Sequence, residues 1–426
     1  MTLLISVRAH SLILITVLMV MTGVSNAQAV DNEQQKKSKM YTPEQIVAFT
    51  NNEIRDLLSD KQYFQFNSLS KSELRVLGEN RTIVAIINLL IQYRSLEQYA
   101  WPEVVNVELA IGKKSKEIAK LRWMLTKLYD LQPHSLNSYR EQVYDPSITS
   151  GIKSFQNRHG LIASGELTPE TITQLNTQPR DRSRQLVALL IDYISPNRLK
   201  VEEYVEVNIP SYQLKVIKNT EEVMSLKVIV GAKDTKTPLL NTKVTSLTVN
   251  PNWTVPVSII NKDIVNQLNT NNSYLKNNSF FLKDAENNQD YFESITVQDF
   301  RKKLKGKQLV QAPGKKNALG KLRFTTPNDK SIFLHDTPSK GLFDLDVRAL
   351  SHGCIRVENP NVFAEFLISR ESSLKNKSFM NSIGSDKTVN LKFENPIPLF
   401  ITYKPLWIDT RGVLQIRPDV YSMGGE

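Results

Sequence analysis

Apolar residues fall into three patterns along the chain. The first is a short unbroken run over residues 11–24 (SLILITVLMVMTGV), preceded by Arg8 and followed by the small residues Ala27-Gln28-Ala29. That is the layout of an export signal, with a positive start, an apolar middle and a small-residue cleavage site. A spanning helix needs about 20 apolar residues, so cleavage is expected, with an uncleaved anchor as the alternative. Residues 83–91 form another apolar stretch; it is too short to span, carries Asn88, and reads as a core helix.

The second pattern is helical. After the polar leader 31–39, Thr42-Pro43-Glu44-Gln45 supplies a cap and a first turn, and Ile46, Val47, Ile54 and Leu57 follow at helical spacing. This predicts a helical scaffold over residues 30–110. Residues 111–180 form a second helical unit. Leu121, Leu125 and Leu128 share one face, Ile148, Ile152 and Phe155 another, and Arg158-His159-Gly160 ends a helix with glycine in the stop position. Thr168-Pro169 then caps a third helix, so three short helices close on one small core. Residues 181–199 read as a connecting helix.

The third pattern begins at Lys200, where the period changes to alternation. Residues 204–209, 212–218, 222–230, 244–249, 331–334, 388–393 and 397–403 read as strands, the last followed by a turn at Gly412. Short strands with turn residues between them predict a β sandwich or barrel. Residues 258–307 interrupt it: they are polar, rich in asparagine and partly helical, and longer than a connecting loop requires. Such insertions act as lids or binding loops; the bland alternative is a disordered, low-complexity insert.

The chain has 426 residues, which suggests two or three domains, and 40% of it is apolar. Its net charge of +11 favours anionic partners. No helix-turn-helix, zinc-finger or RNA-binding pattern is present, so a wall polymer rich in carboxylates fits better than nucleic acid. There is a single cysteine. Exported proteins normally pair their cysteines, so a lone one is a reactive thiol, an intermolecular linker or a buried small hydrophobe.

Its surroundings favour the first reading. Cys354 lies in Arg348-Ala-Leu-Ser351-His352-Gly353-Cys354-Ile-Arg356-Val. Glycine before a nucleophile permits a tight turn and brings backbone N–H groups to the reacting carbonyl. Arg348, Arg356 and the start of a helix after Pro360 are each expected to lower the thiol pKa. The thiol also needs a base. His10 lies in the signal, His134 in a polar loop and His159 in the helical unit, which leaves His335 and His352. His335 ends a strand 19 residues before the cysteine, a spacing suited to neighbouring strands. His352, two residues away, would be strained as a base, so His335 is favoured.

These residues resemble the YkuD family of L,D-transpeptidases. The match is His335, a spacer, then Ser351 to Arg356, supported by Gly231 with Thr237-Pro238, by Asn250-Pro251, Trp253 and Pro256, by Pro313-Gly314, Asn317 and Leu319-Gly320, and by Tyr421. Residues 111–176, with F-Q-x-R-H-G-L and G-x-L-T-P-x-T, resemble the type 1 peptidoglycan-binding domain. The resemblance implies a multidomain α+β protein like the large Gram-negative periplasmic members: a signal (1–29), a helical scaffold, a three-helix binding module, and a mostly-β sandwich catalytic domain (200–426) with a capping insertion. It also implies that Cys354 is the nucleophile and His335 the base, oriented by a backbone carbonyl at Asp336 or Thr337. Gly353 and Cys354 N–H groups would form the oxyanion hole, with Ser351 and His352 in support and Arg356 anchoring the loop or a substrate carboxylate, or serving structure alone. No metal or cofactor is expected. The implied partners are stem peptides, glycan and carbapenems. The implied reaction is a 3→3 cross-link, part of wall biogenesis and cell shape. The alternatives are an L,D-carboxypeptidase or other hydrolase, or a non-catalytic wall-binding protein.

Overall fold

The computed structural model describes residues 80–106, 110–132, 142–193, 201–219 and 221–423. The signal, the leader, the helix start at Thr42 and His134 lie outside them. Among the described residues no helix is long and apolar enough to cross a membrane.

The helices before the first strand are α1 (Arg81–Leu96), α2 (Lys116–Lys127), α3 (Pro146–Arg158), α4 (Pro169–Leu175) and α5 (Pro179–Tyr193). Asn80 caps α1 by accepting the N–H groups of Thr82 and Ile83. Its Ile83, Ile86, Ile87 and Leu90 are buried at helical spacing, as are Leu186, Val187 and Leu190 of α5. These two helices pack together as one unit. The helix expected to connect domains is therefore also the partner that α1 buries its face against.

The second unit begins at Trp101 and resumes after residue 194. Its helices α2, α3 and α4 are capped by Ser115, Asp145 and Thr168. They enclose Leu121, Leu125, Ile148, Ile152, Phe155 and Leu175, the small core that the spacing anticipates.

The strands are β1 (Glu203–Asn208), β2 (Gln213–Lys218), β3 (Glu221–Gly231), β4 (Leu240–Val249), β5 (Trp253–Thr254), β6 (Phe280–Lys283), β7 (Gln289–Tyr291) and β8 (Gln308–Gln311). They continue as β9 (Leu322–Thr325), β10 (Leu334–His335), β11 (Ala349–Ser351), β12 (Ile355–Val357), β13 (Val389–Thr402), β14 (Leu406–Ile408) and β15 (Leu414–Ile416). Nine of them form one sheet in the order β11-β3-β12-β10-β9-β4-β13-β1-β2, and a further β2–β3 pairing closes it into a ring. Inward residues, among them Val205, Val207, Leu214, Val228, Leu247, Phe324, Leu334 and Ile355, form its core. The helix that follows, Pro360–Ser369, adds Phe363, whose ring lies 4.8 Å from that of Phe324.

Three strand expectations are corrected. Of residues 331–334 only Leu334 is in a strand, and it pairs together with His335. Residues 388–393 and 397–403 are not two strands: β13 runs through both, with a register shift between Lys392 and Ile397 where Asn395-Pro396 interrupts the ladder. The Gly412 turn belongs to the separate β14–β15 hairpin.

The insertion is ordered. β5, β8, β6 and β7 make a four-stranded sheet, and helices Val265–Thr270 and Val297–Leu304 cover it. Ile264, Leu268, Phe280, Leu282 and Phe300 give it a core of its own. The polar sequence conceals this because each apolar segment is only two to four residues long.

Candidate active site

The loop that carries Cys354 is held by one hydroxyl relay. Thr237 Oγ1 accepts the Gly231 N–H at 2.8 Å and donates to the Gly353 carbonyl at 2.7 Å. Thr235 Oγ1 donates to the Ser351 carbonyl at 2.7 Å. The Tyr421 hydroxyl donates to the Gly231 carbonyl and accepts the Thr237 N–H. Gly353 takes φ +115°, a conformation that disfavours any side chain. Within the loop, Ser351 Oγ donates to the Cys354 carbonyl at 2.6 Å and accepts the Gly353 N–H at 3.1 Å.

Three strands then bring the chemistry to one face. β10 runs antiparallel to β9 and parallel to β12, with His335 opposite Arg323 on one side and Arg356 on the other. Paired residues share a face, and so do alternate residues along a strand. Arg323, His335 and Arg356 therefore form one row, with Phe333 and Cys354 in the next. His335 and Cys354 thus stand diagonal to each other across the parallel β10–β12 pair. In this state the sulfur hydrogen-bonds the Ser331 carbonyl at 3.8 Å.

His335 is buried. Its Nδ1 lies 2.5 Å from the Asp336 carbonyl oxygen. A carbonyl only accepts, so Nδ1 carries the proton and Nε2 keeps its lone pair. Burial, then the charge of Arg356, pushes the imidazole down to about 3, so it is neutral at physiological pH. The Asp336 carboxylate fixes this arrangement by accepting the Lys321 and Thr337 N–H groups and the Lys340 ammonium. Gly320, at φ +59°, leaves room for it; a Cβ there would overlap the carboxylate.

Burial pushes the Cys354 thiol up, against the Phe333 N–H and the charges of Arg323 and Arg356, which favour the thiolate. The resting pair is thus neutral thiol and neutral imidazole, an arrangement in which the imidazole can remove the proton as the sulfur attacks.

Several expectations change at this point. The thiol pKa is raised, not lowered, because desolvation outweighs the nearby cations. Cys354 does not sit directly ahead of a helix: β12 lies between it and the helix starting at Pro360. Arg348 does not serve the thiol. It donates to the Val228, Leu345 and Tyr212 carbonyls and lies over the Tyr212 ring. The second cation is Arg323, which sequence reasoning missed because β9 pairing is what delivers it. The Gly353 N–H, expected in the oxyanion hole, is engaged by Ser351 Oγ, whereas the Cys354 N–H is not. His352 turns away, its Nε2 2.9 Å from Asp263 Oδ2 of the insertion. Among the described residues no group of three His, Cys, Asp or Glu side chains is placed to hold a metal.

Residues 202–370 match the family model described as "L,D-transpeptidase catalytic domain" (YkuD). The chain carries a YkuD L,D-transpeptidase domain. Residues 114–175 match "Putative peptidoglycan binding domain". A curated relative from Haemophilus influenzae, named "Putative L,D-transpeptidase", is 32% identical over 215 residues; these are 50% of this chain and 43% of that relative's length. Among solved structures, an L,D-transpeptidase from Mycobacterium smegmatis is 11% identical, with 47% of this chain and 59% of that chain covered at a TM-score of 0.24. One from Stackebrandtia nassauensis is 12% identical, with 70% and 98% covered, also at 0.24. Cys354, His335 and the whole Ser351 to Arg356 loop lie inside the matched YkuD segment. The Thr237 clamp does too, whereas Tyr421, which completes it, lies beyond.

Proposed function

We propose that this chain is an exported L,D-transpeptidase of a Gram-negative periplasm, forming 3→3 peptidoglycan cross-links through a thioester on Cys354. The observation that carries the reading is the neutral, tautomer-fixed His335 on the same sheet face as the lone thiol. The sulfur attacks the carbonyl of the third residue of a tetrapeptide stem, and His335 Nε2 takes the thiol proton. The oxyanion is held by the Cys354 N–H. The peptide C–N bond breaks, His335 returns its proton to the departing D-alanine amine, and a thioester remains. A side-chain amine of a second stem then attacks. His335 accepts its proton, and the sulfur leaves as thiol. Residues 111–180 would hold the wall, and the insertion would cover the thioester from water.

The test is product analysis. Purified protein incubated with tetrapeptide muropeptides is expected to give 3→3 dimers and free D-alanine. Tripeptides without dimers would make it an L,D-carboxypeptidase instead, and no turnover by a folded protein would leave a wall-binding role alone. The resemblance also implies a covalent carbapenem adduct, read as a mass increase that Cys354→Ala abolishes.

A further inference from the structure

Charged side chains in this fold are generally matched. Arg158 forms two bonds to Asp130, Arg370 meets Glu203, and Arg348 donates to three carbonyls. Asp336, next to His335 in the chain, is occupied by Lys340 and two backbone N–H groups. Arg323 and Arg356 differ from these. Both are half-buried, and each has its Nε shut off from solvent with no hydrogen-bond partner. Neither forms an ion pair with an acid among the described residues. They flank neutral His335 across adjacent strands, and Arg323 lies 4.6 Å from the centre of the Phe333 ring, toward the row that holds Cys354.

Two half-buried guanidinium groups without an anion are costly to hold in place. The thiol cannot compensate for them while it keeps its proton. What offsets them is an anion that arrives from outside, and the planar fork of N–H donors on each guanidinium matches a carboxylate best. We infer that Arg323 and Arg356 form a two-pronged carboxylate site beside Cys354, and that Arg323 is a specificity-determining residue that selects donors bearing a carboxylate. The inference rests on the transpeptidase reading for the donor's identity. A tetrapeptide stem offers two such groups, its C-terminal carboxylate and the carboxylate of its diamino acid.

The experiment compares alkylation of Cys354 in the full chain by iodoacetate and by the neutral iodoacetamide. At one pH the thiolate fraction is common to both reagents, so their rate ratio reads the anion site alone. The wild type is expected to favour iodoacetate on the order of tenfold more than a free thiol does, and Arg323→Gln to remove that preference. Arg323→Lys keeps the charge without the fork and is expected to retain part of it. A wild-type ratio equal to that of a free thiol, or an unchanged ratio in both variants, overturns the site. With muropeptide donors, Arg323→Gln is expected to raise KM for the tetrapeptide about tenfold. Donors amidated at one carboxyl or the other then show which group loses the Arg323 dependence. If the wild type shows the alkylation preference but turns over no stem, the carboxylate site stands and the transpeptidase reading falls. If stems turn over with a KM indifferent to Arg323, the reverse holds.

Discussion

The binding domain and the catalytic domain each announce themselves by a dense polar motif, and the two motifs do opposite things. In F-Q-x-R-H-G-L, every distinctive side chain is buried and satisfied. Gln156 donates to the Glu166 carbonyl and Thr171 and accepts the Gly165 N–H. Arg158 grips Asp130, and His159 stacks on Phe155 while bonding its carbonyl. In S-H-G-C-I-R, by contrast, the sulfur lies beside two cations with open hydrogen-bonding capacity. The first motif is a folding signature. The second leaves the Nε of Arg356, and of Arg323 beside it, without a partner.

The contrast can be broken from either side. Replacing Cys354 by Ala should abolish dimer formation and adduct formation while leaving retention on isolated sacculi unchanged. Loss of both together would mean that the two regions are not separable. Next in size, His335→Gln should lower the transfer rate by about 10³, within the span usual for a general base. Because its folded pKa lies below its ordinary value, neutral His335 contributes stability that is complete above about pH 6.5 and is lost as the pH falls through about 3. The same substitution should therefore flatten the pH dependence of the unfolding midpoint across that window, and an unchanged slope would place the imidazole in a less buried setting.

From the other side, Gln156→Ala strands the Gly165 N–H and the Glu166 carbonyl. It should destabilise the module by about 2 kcal/mol, measured by urea unfolding, with no change in the iodoacetamide rate of Cys354. The smallest effect expected is that of His352→Asn. Its bond to Asp263 joins the catalytic loop to the insertion through half-exposed groups. Losing it should shift KM roughly twofold to fivefold and speed hydrogen exchange around residues 257–270.

How much of this was legible depended on where the information lies along the chain. Cys354 and the loop between Ser351 and Arg356 stand out because glycine, thiol and cations fall within one string, and His335 stands out only because that cysteine follows 19 residues later. The orienting carbonyl could be narrowed to Asp336 or Thr337, and it is Asp336. Arg323 could not be found, since only the β9–β10 register brings it to His335. The strands around the site are two to four residues long, too short for alternation to register as a period. The opposite error occurred at β13, where Asn395-Pro396 and Pro398 read as a break but sit in a bulge of one continuous strand. The raised thiol pKa was missed for a related reason: a sequence shows which charges lie nearby but not how much water has been removed.

The β2–β3 pairing that closes the sheet has a consequence beyond shape. An open sheet ends in strands whose free N–H and C=O groups can template a second chain. Here the only terminal strand of the nine is β11, three residues long. Self-association through added strands is thereby largely denied to the catalytic domain, and any aggregation on heating should start in the insertion, where β5 and β7 end a small sheet that does not close.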